Sequence, residues 1–405
     1  MTETFDLAVV GAGIVGLAHV LAAARQGRKV VVIERDARAA GASVRNFGFV
    51  TITGQQRGRH WQRALRSREV WAEVAPQARI DVIQRGLLML ARRPEAAAVL
   101  EAFAATEMGE SCRLLSAQEL RSHHPELNPN PLSLALHSPH ELRVESRDAL
   151  PRLAAWLEER WGVAFRWSTA VRGVDLPRLE TDRGPVFAEA AVVCPNADLT
   201  TLFAEELAGY RLKPCKLHML RVDPPAGYRL PAPVMSDLSL VRYEGYSALA
   251  EAAPLRERLL REQGDALSHG IHLIAVQSAD GSLVVGDSHH YDDPPSPFQS
   301  EAVDRLILEE LTAVTGLQGC SVRERWTGVY PSSDERVVLV EAPREDLRIV
   351  IVTGGTGAST AFALGEEVIA GLLGPAGSEA VAPDAAISGG ADSGKGAVAE
   401  KGAVA

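Results

Sequence analysis

The chain has 405 residues, of which 46% are hydrophobic and 23% charged, enough core material for two globular lobes. Its formal net charge of -10 argues against nucleic acid or an anionic membrane surface as a partner, because both require a basic face. No run approaches the roughly 18 apolar residues of a membrane span. The four cysteines are scattered, without a Cys-x-x-Cys pair or zinc spacing. We therefore expect a soluble cytoplasmic protein with reduced thiols and no metal site.

The first 34 residues have the pattern that opens a parallel sheet. Apolar runs at Phe5–Val10 and Lys29–Glu34 predict buried strands, and the small-residue segment Ile14–Gln26 predicts a helix between them. The motif Gly11-x-Gly13-x-x-Gly16 falls between the first strand and the helix, which is the context a dinucleotide fingerprint requires. The sequence predicts a βαβ nucleotide-binding unit.

Each part of this unit has a chemical role. Gly11 permits the tight turn, Gly13 lets the backbone approach a pyrophosphate, and Gly16 lets helix pack on strand, so the helix N-terminus faces the phosphates. A carboxylate at Glu34 accepts hydrogen bonds from ribose hydroxyls and repels a 2′-phosphate, which favours FAD or NAD over NADP. The predicted contacts of this unit are Gly11, Ala12, Gly13, Ile14, Val15, Gly16, Glu34 and the adjoining Arg35.

Two further segments favour FAD over NAD. The loop Gly41–Gly48 is rich in small and polar residues and follows the second strand, so it can run back along the pyrophosphate. Near the other end, the predicted strand Arg348–Thr353 delivers the glycine-rich turn Gly354, Gly355, Thr356 and Gly357 to another helix start. A helix N-terminus there stabilises the negative charge of a reduced flavin. Two such turns at opposite chain ends fit one elongated cofactor.

The middle of the chain is patterned differently. Period-two alternation at His218–Val222, Ile271–Gln277 and Ser282–Gly286 predicts an antiparallel sheet. Amphipathic helices are predicted at Arg147–Arg160 and Glu301–Val314. From about Gly374 onward Ala, Gly and Ser dominate, which predicts disorder over residues 375–405.

The opening unit, the Gly41–Gly48 loop, the stretch Trp326–Asp334 and the final TGGTG together resemble the D-amino-acid oxidase superfamily, which includes glycine oxidase and sarcosine oxidase. The resemblance implies an α/β fold with a discontinuous Rossmann-like FAD-binding domain (1–85, 140–205 and 320–374). It also implies an inserted α+β substrate domain (86–139 and 206–319) on a mainly antiparallel sheet. By the same resemblance, the flavin site includes Ser43 at the pyrophosphate, Arg45 and Asn46 near the flavin ring within a loop completed by Phe47 and Gly48, and the Val171 backbone at the adenine.

Several longer segments are similar to one bacterial branch of that superfamily: GASVRNFGFVT, PHELRVESRDALPRLAAWL, CKLHML, MSDLSLVRYEGY and VVGDSHHY. This branch is associated with the breakdown of aminophosphonates related to 2-aminoethylphosphonate. The resemblance implies oxidative deamination of a small anionic amine, with hydride transfer to flavin, hydrolysis of the imine to an aldehyde, and O₂ as the electron acceptor.

Three departures from the superfamily qualify this expectation. The cysteine that tethers flavin in sarcosine oxidases falls near Gly328, so we expect non-covalent FAD. Their oxygen-activating lysine falls near Val284, which keeps an electron-carrier dehydrogenase open as an alternative. Gly357 to Ala361 carry no charge that could bind a substrate carboxylate. The substrate anion must then be held elsewhere, or the substrate is not an ordinary α-amino acid.

Substrate binding needs a cation for the anionic end, and Arg suits a phosphonate because it donates two parallel hydrogen bonds. Lys216 and His218 lie at i and i+2 of a predicted strand, hence on one face. Tyr330 could close the pocket or be an aromatic core residue, and Tyr243 and Tyr246 lie in a possible lid loop. The candidate catalytic or anion-binding residues are Arg45, Lys216, His218, Arg242, His289, His290 and Tyr330.

The sequence leaves several functional classes open. The favoured one is an FAD amine oxidase; the alternatives are an FAD dehydrogenase of a small amine or amino acid, a glycine, sarcosine or D-amino-acid oxidase, and a non-catalytic flavin-binding or tRNA-modification partner. The acidic balance argues against the tRNA version. Substrate identity and oligomeric state are not determined by these patterns.

Overall fold

The structure is a computed structural model that describes residues 3–374, so the predicted disordered tail at 375–405 lies outside the described residues. The strands are β1 Thr4–Val10, β2 Val30–Ile33, β3 Phe49–Val50, β4 Val82–Ala91, β5 Arg113–Leu115, β6 Leu134–Val144, β7 Ala164–Arg166, β8 Val171–Asp175, β9 Arg178–Thr181, β10 Val186–Val193, β11 Lys213–Asp223, β12 Val234–Ser236, β13 Ile274–Gln277, β14 Leu283–Gly286, β15 Ser321–Ser332, β16 Val338–Arg344 and β17 Leu347–Val352. The α-helices are α1 Ile14–Arg25, α2 Arg59–Gln77, α3 Pro94–Ala104, α4 Ala117–His123, α5 Ser146–Trp161, α6 Ala204–Ala208, α7 Glu244–Ser247, α8 Ala252–Glu262, α9 Gly264–Ser268, α10 Glu301–Thr315 and α11 Gly357–Leu373.

The first sheet carries the predicted βαβ unit at its centre. Its parallel strands run in the order β17, β10, β1, β2, β7, with β16 antiparallel beside β17 and the β8–β9 hairpin attached to β10. All four residues of β2 are buried, as expected for a parallel strand covered on both faces. The prediction of a Rossmann-like α/β lobe is confirmed.

The second sheet lies in the order β15, β11, β14, β13, β12, β4, β6, β3, with β5 beside β6. Every pairing in it is antiparallel except that of β12 with β4, so the predicted mainly antiparallel sheet is confirmed. The strands β3 and β15 belong to this sheet although they fall in segments assigned to the FAD-binding domain. The predicted boundaries at residues 85/86 and 139/140 also cut through β4 and β6, and the domain limits stay a prediction.

Helix α2 buries polar as well as aromatic side chains. Trp71 is buried and donates from Nε1 to the Ala358 carbonyl oxygen at 2.8 Å, but Trp61 is only half-buried. The buried face also carries Ser67 and Arg63, whose guanidinium pairs with Glu367 of α11 at 2.8 Å. Hydrophobic periodicity misses this face because an ion pair between helices replaces part of the apolar contact.

The close crossing of β1 and α1 depends on Gly16. A Cβ atom there would lie 1.9 Å from the Gly11 carbonyl oxygen and 3.3 Å from Val9 Cγ1. Gly365 of α11 has the same function at the next contact, where a Cβ would lie 2.8 Å from the Ala18 carbonyl. These glycines let α1 pack directly between the first sheet and α11.

We predict that Gly16→Ala destabilises the protein by about 3 kcal/mol or more, because the added methyl group overlaps backbone that cannot move without distorting the turn. The measurement is the free energy of unfolding from urea titration. Gly209→Ala is the matched control, since a Cβ at Gly209 meets nothing within 4 Å and its φ is -66°. Equal stability of the two variants would contradict the assigned packing role.

Candidate active site

The first glycine turn exposes backbone donors at the start of α1. Gly11 has φ +104°, and a Cβ there would lie 2.8 Å from the Cys194 carbonyl oxygen, so only glycine fits. The N-cap of α1, Gly13, provides no side-chain cap, and the Ile14 N–H donates to Ser43 Oγ at 3.0 Å. The turn therefore presents the positive end of α1, which suits a phosphate group.

Glu34 is bound to the turn itself. Its Oε2 accepts a hydrogen bond from the Ala12 N–H at 2.8 Å, and Oε1 accepts one from the Asp36 N–H at 3.0 Å. Arg35 is exposed and pairs with Asp198 at 2.7 Å. Val171 is buried at the start of β8, the strand that follows β7 in the chain, and β7 pairs with β2, which ends just before Glu34. The N–H of Thr169, two residues before Val171, donates to the Glu34 carbonyl oxygen at 2.9 Å, so the predicted ribose and adenine residues lie near each other, with Glu34 bracing the phosphate turn.

The loop Gly41–Gly48 is braced by Asn46. The Asn46 Nδ2 group donates to the Ala42 carbonyl oxygen at 2.9 Å, and its Oδ1 accepts from Ser146 Oγ and the Gly48 N–H, each at 2.8 Å. Gly48 has φ +66°, and a Cβ there would lie 1.8 Å from the Val144 carbonyl oxygen. The Asn46 side chain therefore holds the loop's shape, which the sequence did not predict, while the loop backbone faces the cleft.

Arg45 and Phe47 complete this loop. The Arg45 Nε donates to the Ala40 carbonyl oxygen at 2.8 Å, and its own carbonyl oxygen accepts from Trp326 Nε1 at 3.1 Å. Arg45 is exposed at the cleft, and Phe47 is buried beneath it. Gly328 faces the same loop, and a Cβ there would lie 3.2 Å from the Arg45 carbonyl oxygen.

The two glycine turns meet, although more than 300 residues separate them. A Cβ at Gly357 would lie 3.5 Å from Ile14 Cγ2 and 3.8 Å from Val15 Cγ2. Gly355 has φ +71°, and a Cβ there would lie 3.2 Å from the Tyr330 ring. The prediction that both helix starts border one site is thus supported by their direct contact.

A single cleft of about 930 Å³ joins these parts. Its walls include the first glycine turn, the Gly41–Gly48 loop and the last glycine turn, and it continues to side chains of the second sheet. At Gly13 the cleft wall is bare backbone beside Ser43, because a Cβ there would lie 3.0 Å from Ser43 Oγ. The residues present fit an elongated cofactor with its phosphates against α1 and its other end against α11.

The inner end of the cleft carries a group of polar side chains from the second sheet and its loops. Arg242 Nη2 donates to Tyr291 Oη at 3.3 Å, and the Tyr330 ring contacts the His289 ring edge-on with centroids 6.3 Å apart. Burial raises the pKa of Tyr330 well above its ordinary value, so its phenol keeps its proton. The polar cleft residues at this end are Arg242, Tyr243, His272, Asp287, His289, Tyr291 and Tyr330.

The structure does not bring Lys216, His218 or His290 to the cleft. Lys216 Nζ donates to the carbonyl oxygens of Ser296 and Phe298 at 3.0 and 2.8 Å. His218 Nδ1 lies 3.3 Å from the Asp304 carboxylate on α10, and the His218 and His290 rings pack with centroids 5.3 Å apart. His218 therefore packs on α10 and Lys216 on the segment that precedes α10, so neither side chain reaches the cleft.

Two further expectations change with the tertiary structure. Tyr246 is fully buried and packs against Phe103 with centroids 4.6 Å apart, so it belongs to the core rather than to a lid. His272 and Asp287 border the cleft and were not among the candidates. Asp287 precedes His289 by two residues, a spacing that puts both on one side of an extended chain. Because His289 was a candidate, this spacing is the sequence signal that could have identified Asp287.

The chain belongs to the DAO family of FAD-dependent oxidoreductases, whose model matches residues 6–370. It is therefore an FAD-dependent enzyme. L-proline dehydrogenase from P. horikoshii is 20% identical with a TM-score of 0.73, covering 91% of this chain and 93% of that one. Glycine oxidase from Geobacillus kaustophilus is 20% identical with a TM-score of 0.71, covering 92% and 95%. Iminodiacetate oxidase from Chelativorans sp. BNC1 is 17% identical with a TM-score of 0.68, covering 90% and 94%.

These structural similarities show the shared fold. A comparison with curated protein sequences finds no match. Among residues 3–374, none of the helices has the length and apolarity needed to cross a membrane.

We predict that Glu34→Ala raises the dissociation constant for FAD about 10- to 100-fold, because a hydrogen bond to a charged group contributes about 1.5–3 kcal/mol. The Ala12 N–H loses its acceptor, and the turn loses its brace. Titration of the apoprotein with FAD, followed by quenching of flavin fluorescence, gives the affinity. Asp36→Asn, at an exposed neighbouring carboxylate, is the control. Unchanged FAD affinity in Glu34→Ala would contradict the assignment.

Proposed function

We propose that this enzyme oxidises a small amine that carries an anionic group, an aminophosphonate related to 2-aminoethylphosphonate, and passes the electrons to O₂. The observation that carries the proposal is Arg242, a half-buried guanidinium that borders the cleft beside Tyr291. Arg binds phosphonate or carboxylate oxygens through parallel charge-assisted hydrogen bonds. The start of α11, Gly357 to Ala361, offers no alternative charge.

FAD, when bound, would supply the hydride acceptor for the carbon next to the amine nitrogen, and hydrolysis of the resulting imine would give an aldehyde and ammonia, or an amine from an N-substituted substrate. The protein's own contribution is positional. Arg242 and Tyr291 anchor the anionic end, while Tyr330, beside Gly355, walls the space near the last glycine turn. FAD would be held without a covalent bond, because glycine occupies position 328.

The relatives support a small amine as substrate without naming it. Their names specify proline, glycine and iminodiacetate, all small molecules that pair an amine with a carboxylate. The resemblance of several sequence segments to the aminophosphonate branch favours a phosphonate in place of the carboxylate. An amino-acid oxidase is the second candidate, because the same Arg could bind a carboxylate.

The proposal is tested by an anaerobic screen that records loss of flavin absorbance. We expect 2-aminoethylphosphonate or its N-methyl derivative to reduce the flavin faster than glycine, sarcosine or D-amino acids. Admitting air should then yield hydrogen peroxide. Faster reduction by the amino acids would replace the substrate assignment, and reduction without peroxide would indicate a dehydrogenase.

We further predict that Arg242→Gln raises KM for the anionic substrate about 10- to 100-fold while the FAD content stays unchanged, since it removes a charge-assisted anchor. Steady-state kinetics and the ratio of flavin to protein absorbance give the two quantities. Arg172→Gln, at an exposed arginine of β8, is the control. A KM that matches the control would remove Arg242 from substrate binding.

A further inference from the structure

His289 and Asp287 face each other in the cleft with acceptor atoms opposed. His289 Nδ1 lies 2.9 Å from the Gly270 carbonyl oxygen, which can only accept, so Nδ1 carries the hydrogen. In the neutral ring Nε2 is then an acceptor, and it lies 3.8 Å from Asp287 Oδ2. Two lone-pair-bearing atoms at this separation call for a positive group between or beside them.

His272 is the third polar side chain of this group. Its Nδ1 lies 3.3 Å from Ser239 Oγ, and its Nε2 lies 3.1 Å from Asp287 Oδ1. Asp287 is 5% exposed, yet its Oδ1 has no hydrogen bond of acceptable geometry. One ligand atom from each of the three residues lies within 4.8 Å of the others. The receptor, meaning His272, Asp287 and His289, is thus buried, borders the cleft and is short of donors.

A proton on His289 does not resolve this shortage. Burial lowers the pKa of His289 well below its ordinary value, and the nearby Arg242 guanidinium lowers it further, while Asp287 acts in the opposite direction. Burial also lowers the pKa of His272. The pKa of Asp287 is lowered, because the two histidines and Arg242 outweigh the effect of burial. At neutral pH the receptor consists of one carboxylate and two neutral rings.

From this geometry we infer that His272, Asp287 and His289 bind the substrate's protonated amino group. This inference rests on the proposed function. A primary ammonium has three N–H donors, and the receptor offers acceptors at Asp287, at His289 Nε2 and, with hydrogen on Nδ1, at His272 Nε2. Charge-assisted hydrogen bonds of this kind are the strong ones. The carboxylate supplies the opposite charge that a desolvated cation requires.

Together with Arg242, the receptor selects zwitterions. An amine without an anionic group would meet the uncompensated guanidinium, and an anion without an amine would leave Asp287 without its counter-ion. The enzyme should therefore prefer short molecules with a cation at one end and an anion at the other.

Two histidines and a carboxylate could also hold a divalent metal ion, with Gly270 and Ser239 orienting the histidines from behind. The neighbouring Arg242 guanidinium repels a doubly charged metal ion about twice as strongly as a singly charged ammonium at the same distance, which favours the ammonium. The experiment below separates the two ligands.

The test compares ligands with and without an amino group on the holoenzyme. Anaerobic stopped-flow reduction gives the dissociation constant of 2-aminoethylphosphonate, and perturbation of the flavin spectrum gives that of ethylphosphonate. In Asp287→Asn we expect about 10- to 100-fold weaker binding of 2-aminoethylphosphonate, and ethylphosphonate binding unchanged within about threefold. Asp292→Asn, an exposed aspartate five residues along, is the control.

Several outcomes would overturn the inference: equal losses for both ligands, no loss for either, or stoichiometric metal in the wild type that Asp287→Asn lacks. Should Asp287→Asn fail to fold, His289→Leu removes one acceptor and should weaken only the amine ligand. Failure of the proposed function is read separately. If no aminophosphonate reduces the flavin, the same comparison is made with glycine and acetate, both followed by the flavin spectrum. The inference then falls if the amino group adds no affinity that depends on Asp287.

Discussion

The structure depends on the direct contact between two glycine turns from opposite ends of the chain. A side chain at Gly16 would overlap the Gly11 carbonyl, and one at Gly365 would overlap the Ala18 carbonyl. Because both positions are glycine, α1 can pack against the first sheet and against α11. This packing places two helix N-termini along one cleft. Backbone and the positive ends of both helices are then available to a long anionic cofactor.

The second sheet supplies the chemistry that the first lacks. Its loops bring Arg242, Asp287 and two histidines to the far end of the cleft. The first sheet contributes mainly backbone, at the other end. Burial of such ionisable groups is costly unless they are paired. Asp287 offsets part of this cost through its contacts with His272 and His289. The remaining lack of donors is the kind of local imbalance expected where a ligand completes the site.

Much of the first lobe could be predicted from local pattern. Buried strands and the glycine motif placed β1, α1 and β2 to within about one residue, because a parallel strand covered on both faces reads as an apolar run. The β8–β9 hairpin, β12, α7 and α9 were missed, since segments of three to five residues carry little periodicity. The buried face of α2 is not visible in the sequence, because Arg63 is buried through its partner Glu367, not through its own hydrophobicity.

The sequence by itself determined the flavin-binding half of this protein. There the backbone makes most of the contacts to a cofactor, and the residues that shape this backbone are recognisable in the sequence: the glycines, the acidic Glu34 and the two helix starts. Only the tertiary structure decided the substrate end. Alternation along β11 put Lys216 and His218 on one face, but the packing of α10 made that face a structural one. Asp287 and His272 are distant in the chain and meet only because β13 and β14 pair. Local spacing shows which side chains share a face, and the packing of sheets shows which face meets the ligand.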